Sequence, residues 1–318
     1  MIHTEGLTRH FTTKNGTVEA VVDLDLEVRE GELVALLGPN GAGKSTTMRM
    51  LTTLLTPTSG TAEVVGHDVV EEPAAVRRRI GYVGQGNGAS NNQRVRDELV
   101  TQGRAYGLPV EECRSRADEL LAALDLDGLA DRAANTLSGG QRRRLDVAIG
   151  LVHRPGLLFL DEPSTGLDPQ SRANLWEHIL RLRREHGMTI VLTTHYLDEA
   201  DAMAERVVVI DHGQMIADDT GDRLKADLAG DRILVTAVDG SAGRLVEVAN
   251  RTIEPQGVEV AGNVVNLRVV EGAGTLPGLL RALDAEGVAV ESAEVRRPTL
   301  DDVFLTLTGR SLREEAAA

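Results

Sequence analysis

The sequence predicts an α/β fold followed by a small α+β domain, and three observations carry that prediction. The first is a short apolar run, Glu32–Leu37, which breaks at Gly38-Pro39. Behind the break, Met48, Leu51, Leu54 and Leu55 recur at helical spacing between Ser45 and Leu55. The second is another apolar run, Leu157–Leu160, that ends in two carboxylates, Asp161 and Glu162, with Pro163 directly after them. The third is a change of pattern after Lys225, where strand, helix, two strands, helix and strand follow in turn.

Between the first strand and its helix lies Gly38-Pro39-Asn40-Gly41-Ala42-Gly43-Lys44-Ser45-Thr46, which reads G-x-x-x-x-G-K-S. Glycines let such a loop curl and approach a ligand closely. The free N–H groups and dipole of the following helix favour phosphate oxygens. In that setting Lys44 reaches the β- and γ-phosphates of a nucleotide and Ser45 holds Mg²⁺ through its hydroxyl.

Composition narrows the partners. The 318 residues are 42% hydrophobic and 26% charged, the balance of an ordinary globular chain of one large or two smaller domains. Aromatics are only 2%, so the core is expected to be built from Leu, Val, Ile and Ala. A formal charge of −15 repels nucleic acid, and no nucleic-acid partner is expected. Arg77–Arg79 and Arg142–Arg144 are read as solvated helix faces or local ion pairs. The single Cys113 permits no internal disulfide and fits a reducing compartment. The first residues lack the basic start and apolar run of a signal peptide. No uncharged apolar stretch approaches the ~20 residues that cross a bilayer. A cytosolic protein is expected, one that reaches a membrane only through a partner.

In chain order, Val18–Val28 alternates apolar and polar residues and reads as a strand with one buried face. Phe11 lies in the polar stretch Thr8–Lys14 and either stacks on an adenine ring or anchors local packing. Thr61–Val65 and Ile80–Val83 are short strands around a helix at Pro73–Arg79. Gly84–Asn92 is rich in turn formers and is expected to be a mobile loop, with Gln85 just past a strand end where a polar side chain looks into a ligand crevice. Helices follow at Arg94–Tyr106, Val110–Leu124 and after Ser138. Taken alone, Leu137-Ser138-Gly139-Gly140-Gln141 is a capping serine before two glycines.

The strand Leu157–Leu160 delivers its acids to the ligand edge of a sheet. Asp161 is placed to share Mg²⁺ with Ser45, and Glu162 to polarise an attacking water. Adjacent strand residues face opposite ways, so the two acids should have different roles. Ser164–Pro169 is a turn into a helix reaching His186, Met188–Thr194 is another strand, and His195 falls at its end. A helix at Leu197–Ala204 and a strand at Arg206–Asp211 complete this part.

Six motifs, Gly38–Thr46, Gln85, Leu137–Gln141, Leu158–Glu162, Ser164–Asp168 and His195, stand in an order that resembles the ATP-binding cassette (ABC) family over residues 1–228. The resemblance implies a P-loop NTPase cassette with a RecA-like core and a helical subdomain at about 86–155. Residues 229–318 are then a ferredoxin-like accessory domain with an acidic tail. It also implies a head-to-tail pair of cassettes, as homodimer or with a paralogue, closed on ATP and Mg²⁺. In such a pair Gly38–Thr46 bind the phosphates, while Ser138, Gly139, Gly140, Gln141 and Asp168 serve the site from across the interface. Glu162 resembles the catalytic base, His195 the switch histidine, Gln85 the lid-loop glutamine that reaches the metal, and Phe11 the adenine-stacking aromatic.

The ending Pro298–Gly309 looks like the tail of daunorubicin/doxorubicin-resistance-type ATPase subunits. That implies a peripheral exporter subunit on the cytoplasmic face of the membrane, paired with a separately encoded all-helical permease. A soluble cassette ATPase acting in translation or on DNA, and an importer subunit, are the alternatives. One departure stands out: Gln93–Glu98 replaces the Leu-Thr turn and Glu-Asn pair usual in the family segment that faces the membrane partner.

Overall fold

The structure is a computed structural model, and it describes residues 1–309 except Asn15 and Asp239. It divides into two compact units, the first Met1–Asp218 and the second beginning at Asp219. Sequence alone put the division after 228; the short helix capped by Thr220 lies on the far side of the division found here.

The first unit contains two sheets. One is built from β1 (Ile2–Thr13), β2 (Gly16–Leu24), β3 (Glu27–Val28), β5 (Ser59–Val64) and β6 (His67–Asp68). Its order is β2-β1-β5-β6 with β3 also on β1, and its pairings are antiparallel. Ile2–Glu5 of β1 alternate buried and exposed, as in a sheet solvated on one side. The stretch Thr8–Thr13 continues the strand despite its polarity because it pairs with β2 and β5, and Val18–Val28 is broken between β2 and β3.

The second sheet has the order β11-β10-β4-β9-β8-β7. Its strands are β4 (Leu33–Leu37), β7 (Ile80–Val83), β8 (Leu157–Asp161), β9 (Thr189–Thr194), β10 (Arg206–Asp211) and β11 (Gln214–Asp219). From β10 to β7 every pairing is parallel. Every residue of β4, β8 and β9 is buried, which is why these strands read as continuous apolar runs without alternation. Parallel register brings the carboxyl ends of β4, β8 and β9 to one edge, with Asp161 beside Thr193 and Thr193 beside Leu36.

Helices α1 (Lys44–Leu51), α2 (Pro73–Arg77), α6 (Pro169–His186) and α7 (Leu197–Met203) connect these strands. Between β7 and β8 the chain is helical: α3 (Val95–Ala105), α4 (Val110–Ala123) and α5 (Gly139–Leu151). One core joins the two sheets through Leu24, Leu36, Met48, Phe159, Val191 and Val208.

The second unit starts with α8 (Gly221–Leu224) and holds β12 (Asp231–Ala237), α9 (Ala242–Thr252), β13 (Gly257–Ala261), β14 (Val264–Val269), α10 (Gly272–Ala285) and β15 (Val290–Arg296). The sheet order β13-β14-β12-β15 is antiparallel throughout and gives the expected ferredoxin-like arrangement. Leu245, Val248, Leu279 and Leu283 pack on Ile233, Val235, Val265 and Leu267. A final helix, α11 (Leu300–Thr308), is capped by Thr299 and Asp302 in a reciprocal capping box.

Candidate active site

The glycine loop leaves β4 and ends at α1, and two neighbouring backbones confine it. A β-carbon on Gly38 would sit 2.1 Å from the Ile210 carbonyl oxygen, and one on Gly43 2.4 Å from that of Ala20. Gly43 also has φ 108°. Side chains are excluded at both positions by contact and, at Gly43, by conformation. Val22 N–H donates to the Gly213 carbonyl and Gly213 N–H to the Ala42 carbonyl, each at 2.9 Å. No side chain caps the start of α1, so its first N–H groups remain available to phosphate. Lys44, 4% exposed, donates from Nζ to the carbonyls of Gly38 (2.7 Å) and Pro39 (2.9 Å). Burial lowers its pKa from the usual range, while Glu162 and Asp161 pull it back up.

Along the edge formed by β8 and β9, one carboxylate oxygen gathers the site. Asp161 Oδ1 accepts from Ser45 Oγ at 2.9 Å and from Thr193 Oγ1 at 2.6 Å, and Gln85 Nε2 donates to Ser45 Oγ at 3.1 Å. Sequence reasoning missed Thr193; its one signal was a pair of hydroxyl residues closing an otherwise apolar strand. Glu162 lies one residue past the end of β8, and its carboxylate has partners different from those of Asp161. Its backbone is left-handed, φ 47°, and its N–H donates to Thr193 Oγ1 at 2.9 Å. Its carboxylate accepts from Thr165 Oγ1 at 3.1 Å and lies 3.3 Å from His195 Nδ1. The His195 ring sits against Tyr196, and the Arg172 guanidinium lies 4.0 Å from the Tyr196 ring centroid.

Ser45 and Asp161 are hard oxygen donors, and the Gln85 amide stands beside them. Mg²⁺ takes one or two protein oxygens and fills the rest of its shell with substrate phosphates and water. Among the described residues no cluster of three or more His, Cys, Asp or Glu is built to hold a metal. The two hard oxygens, Ser45 Oγ and Asp161 Oδ1, fit Mg²⁺ arriving with a phosphate ligand.

The other expected residues form a second group. Ser138 caps α5 in a capping box: its hydroxyl accepts from Gln141 N–H at 3.3 Å, and Gln141 Oε1 accepts from Ser138 N–H at 3.0 Å. Gly139 and Gly140 open the helix, and a β-carbon on Gly140 would meet Ser171 Oγ at 2.8 Å. Asp168 caps α6 through the same serine, accepting from Ser171 N–H (2.9 Å) and Oγ (2.6 Å). The Ser171 hydroxyl is the main reason its pKa lies below the usual value. Ser138–Gln141 and Asp168 thus neighbour one another, and their hydrogen bonds do not run to the glycine loop. Phe11 stands in β1 opposite Val18 with the Arg9 guanidinium 4.8 Å from its ring centroid.

Two expectations are corrected. Arg142 and Arg143 are 6% and 7% exposed and bind backbone carbonyls, where solvated helix faces or local ion pairs were anticipated. Their guanidiniums find carbonyl acceptors in the segments packed on α5, so Arg142 and Arg143 brace the interior. The loop Gly84–Asn92, expected to be mobile, is held: Asp146 Oδ1 accepts from Gly88 N–H at 2.9 Å and Ala89 N–H at 3.2 Å, and Ala89 is buried.

A glycine cradle before a helix, a lysine inside it, and a serine–aspartate pair with a second acid directly after the strand define a P-loop nucleotide hydrolase. The helical insertion and the serine-capped α5 narrow that class. The chain belongs to the ABC transporter family, and it is an ATPase subunit of that family. Residues 21–165 match the family described as ABC transporter, and residues 220–308 match the one described as ATP-binding protein DrrA1-3-like, C-terminal domain. The chain is 44% identical to the daunorubicin resistance ATP-binding protein DrrA3 of Streptomyces coeruleorubidus over 95% of both chains. It is 43% identical to the daunorubicin/doxorubicin resistance ATP-binding protein DrrA of Streptomyces peucetius, over 97% of this chain and 92% of that one. Among solved structures it resembles the dimeric ATP-binding cassette MJ0796 in a post-hydrolysis state bound to ADP and Pi. That match has a TM-score of 0.64 and 26% identity, over 69% of this chain and 98% of that one.

Proposed function

We propose that this chain is the ATP-hydrolysing subunit of an exporter, bound to the cytoplasmic face of a membrane through a separately encoded all-helical permease. The observation that carries the reading is the hydrogen-bonded line Gln85–Ser45–Asp161–Thr193, with Glu162 and His195 at the same sheet edge. No helix among the described residues is long and apolar enough to cross a membrane, so the membrane path falls to the partner. Names of relatives refer to daunorubicin and doxorubicin resistance, which supports a drug-like organic cargo.

In this reading ATP lies with its base on Phe11 and its phosphates in Gly38–Thr46. Lys44 exchanges its two carbonyl partners for β- and γ-phosphate oxygens. Ser45, Asp161 and Gln85 would hold Mg²⁺, which would supply positive charge against the phosphate oxygens. Glu162 orients the attacking water in line with the γ-phosphate, and His195 steadies that arrangement from the other side. Ser138, Gly139, Gly140 and Gln141 of a second cassette close the site with the positive end of α5, while Asp168 supports the seam. ATP then joins two cassettes, and hydrolysis releases them to drive the permease.

The test is co-purification from detergent-solubilised membranes with ATPase measurement. A polytopic permease recovered with the chain, raising its ATPase rate, is the expected result. Recovery with ribosomes or nucleic acid, and no membrane protein, would overturn the exporter reading.

A further inference from the structure

Three side chains of α5 grip the loop that carries Gln85. Arg143 Nη1 donates to the Gly84 carbonyl at 2.7 Å, directly before Gln85. Asp146 Oδ1 takes the N–H groups of Gly88 and Ala89, and Arg142 Nη2 donates to the Ala89 carbonyl and, at 3.2 Å, to Asn91 Oδ1. The same Arg143 reaches a second segment. Its Nε donates to the Pro163 carbonyl at 2.7 Å and its Nη2 to those of Asp161 (3.3 Å) and Glu162 (3.4 Å). One guanidinium therefore stitches the start of the glutamine loop to the strand end bearing both acids.

All three grips stand on the helix whose first residue is capped by Ser138. Asp146 lies eight positions beyond Ser138, about 12 Å along a helix that rises 1.5 Å per residue. An unbroken helix of that length moves as one piece. Asp146 is 4% exposed, and its bonds to two backbone amides are charge-assisted, roughly twice as strong as neutral ones. A simple packing role asks for an apolar residue at that site. A buried carboxylate with two arginines beside it specifies where the loop backbone must lie.

We propose that Asp146 and Arg143 are positioning residues that couple the placement of Gln85 at one ATP site to the placement of Ser138, which serves the opposite one. The inference rests on the roles proposed above for Gln85 and Ser138. Gln85 touches Ser45 in its own site, its loop is fastened to α5, and α5 presents Ser138 outward. A shift of Gln85 toward a bound γ-phosphate thus carries the signature end of α5 with it.

The experiment is a double-mutant cycle on the full chain, reading kcat, KM and ATP affinity for the wild type, Gln85→Ala, Asp146→Asn and the double variant. Asp146→Asn keeps the side-chain volume and removes the charge. The expected result is ATP affinity within about twofold of wild type and a kcat lowered about tenfold or more, since small misplacements cost rate more than binding. Adding it to Gln85→Ala should cost no more than about a further twofold, as coupled sites are non-additive. Wild-type kcat in Asp146→Asn, or losses that multiply in the double variant, would overturn the proposal. If Asp146→Asn does not fold, Arg143→Lys carries the test: the charge stays but the fork that spans two segments is lost. Arg143→Lys at the wild-type rate would likewise overturn it. Gln85→Ala alone with wild-type kcat would instead remove the site reading on which the coupling depends.

Discussion

Glu162 and His195 face one another across the ends of β8 and β9, with Glu162 Oε2 3.3 Å from His195 Nδ1. Glu162 reaches that position from a left-handed backbone, a conformation that costs about 1–3 kcal/mol for a residue with a β-carbon. The strain is held in place by bonds from Glu162 N–H to the hydroxyl and carbonyl of Thr193.

Glu162→Gln preserves shape and removes the proposed base. Its expected kcat falls by about 10²- to 10⁴-fold, the usual contribution of a positioned general base. ATP affinity should be retained, and an ATP-dependent dimer should persist in size-exclusion chromatography. Turnover at the wild-type rate would remove Glu162 from its role.

Thr193 is the structural keystone between the two acids, donating to Asp161 and accepting from Glu162 N–H. Thr193→Val keeps the shape and removes one bond from each acid, leaving Asp161 Oδ1 its bond from Ser45 and the Glu162 N–H its bond to the carbonyl of residue 193. The expected loss of stability is about 1–3 kcal/mol, read by denaturant titration. Activity should fall with it, and Thr193→Ser should restore most of both.

Ser138→Ala removes the cap of α5 and should cost about 1 kcal/mol of stability. The functional expectation is separable. ATP binding to the isolated chain stays near the wild-type value, while ATP-dependent dimerisation in the Glu162→Gln background weakens. Equal loss of both would place Ser138 in the wrong half-site.

His153 stacks on Tyr106 with ring centroids 3.7 Å apart, and its Nε2 lies 2.9 Å from the Ile80 carbonyl. Burial lowers its pKa below the usual 6.5, with the Ile80 contact opposing and Arg116 adding to the shift. Burial lowers His178 likewise. With folded values depressed, the unfolded chain binds protons first as pH falls. Stability is full above 6.5 and is lost as pH drops from there through the lowered values. Thermal melts at about pH 7.5 and about pH 5.5 should show a smaller difference for His153→Gln than for the wild type.

Local chemistry made much of this architecture legible. The glycine loop, the strand ending in Asp161 and Glu162, the Ser138 cap and the β-α-β-β-α-β order are signals contained within a few residues each. What escaped was carried by partners far apart in sequence. Thr8–Thr13 is a strand because β2 and β5 supply its ladder, which no alternation in so polar a stretch announces. Thr193 gains meaning only when parallel register sets it beside Asp161. Arg142, Arg143 and Asp146 look like a solvated run until the loop at Gly84–Asn91 folds over them. Positive φ at Glu162 leaves no trace in composition at all.

The ties from Val22 to Gly213 and from Gly213 to Ala42 join the sheet bearing Phe11 to the cradle bearing Lys44 by amides alone. Gly38 and Gly43 lie so close to Ile210 and Ala20 that no side chain fits between the loop and these neighbours. Under the proposed seating, a nucleotide would be held at its base by Phe11 and at its phosphates by Lys44, so a shorter phosphate tail would forfeit one of the two grips. A side chain at Gly38 or Gly43 would push the cradle off Ile210 or Ala20.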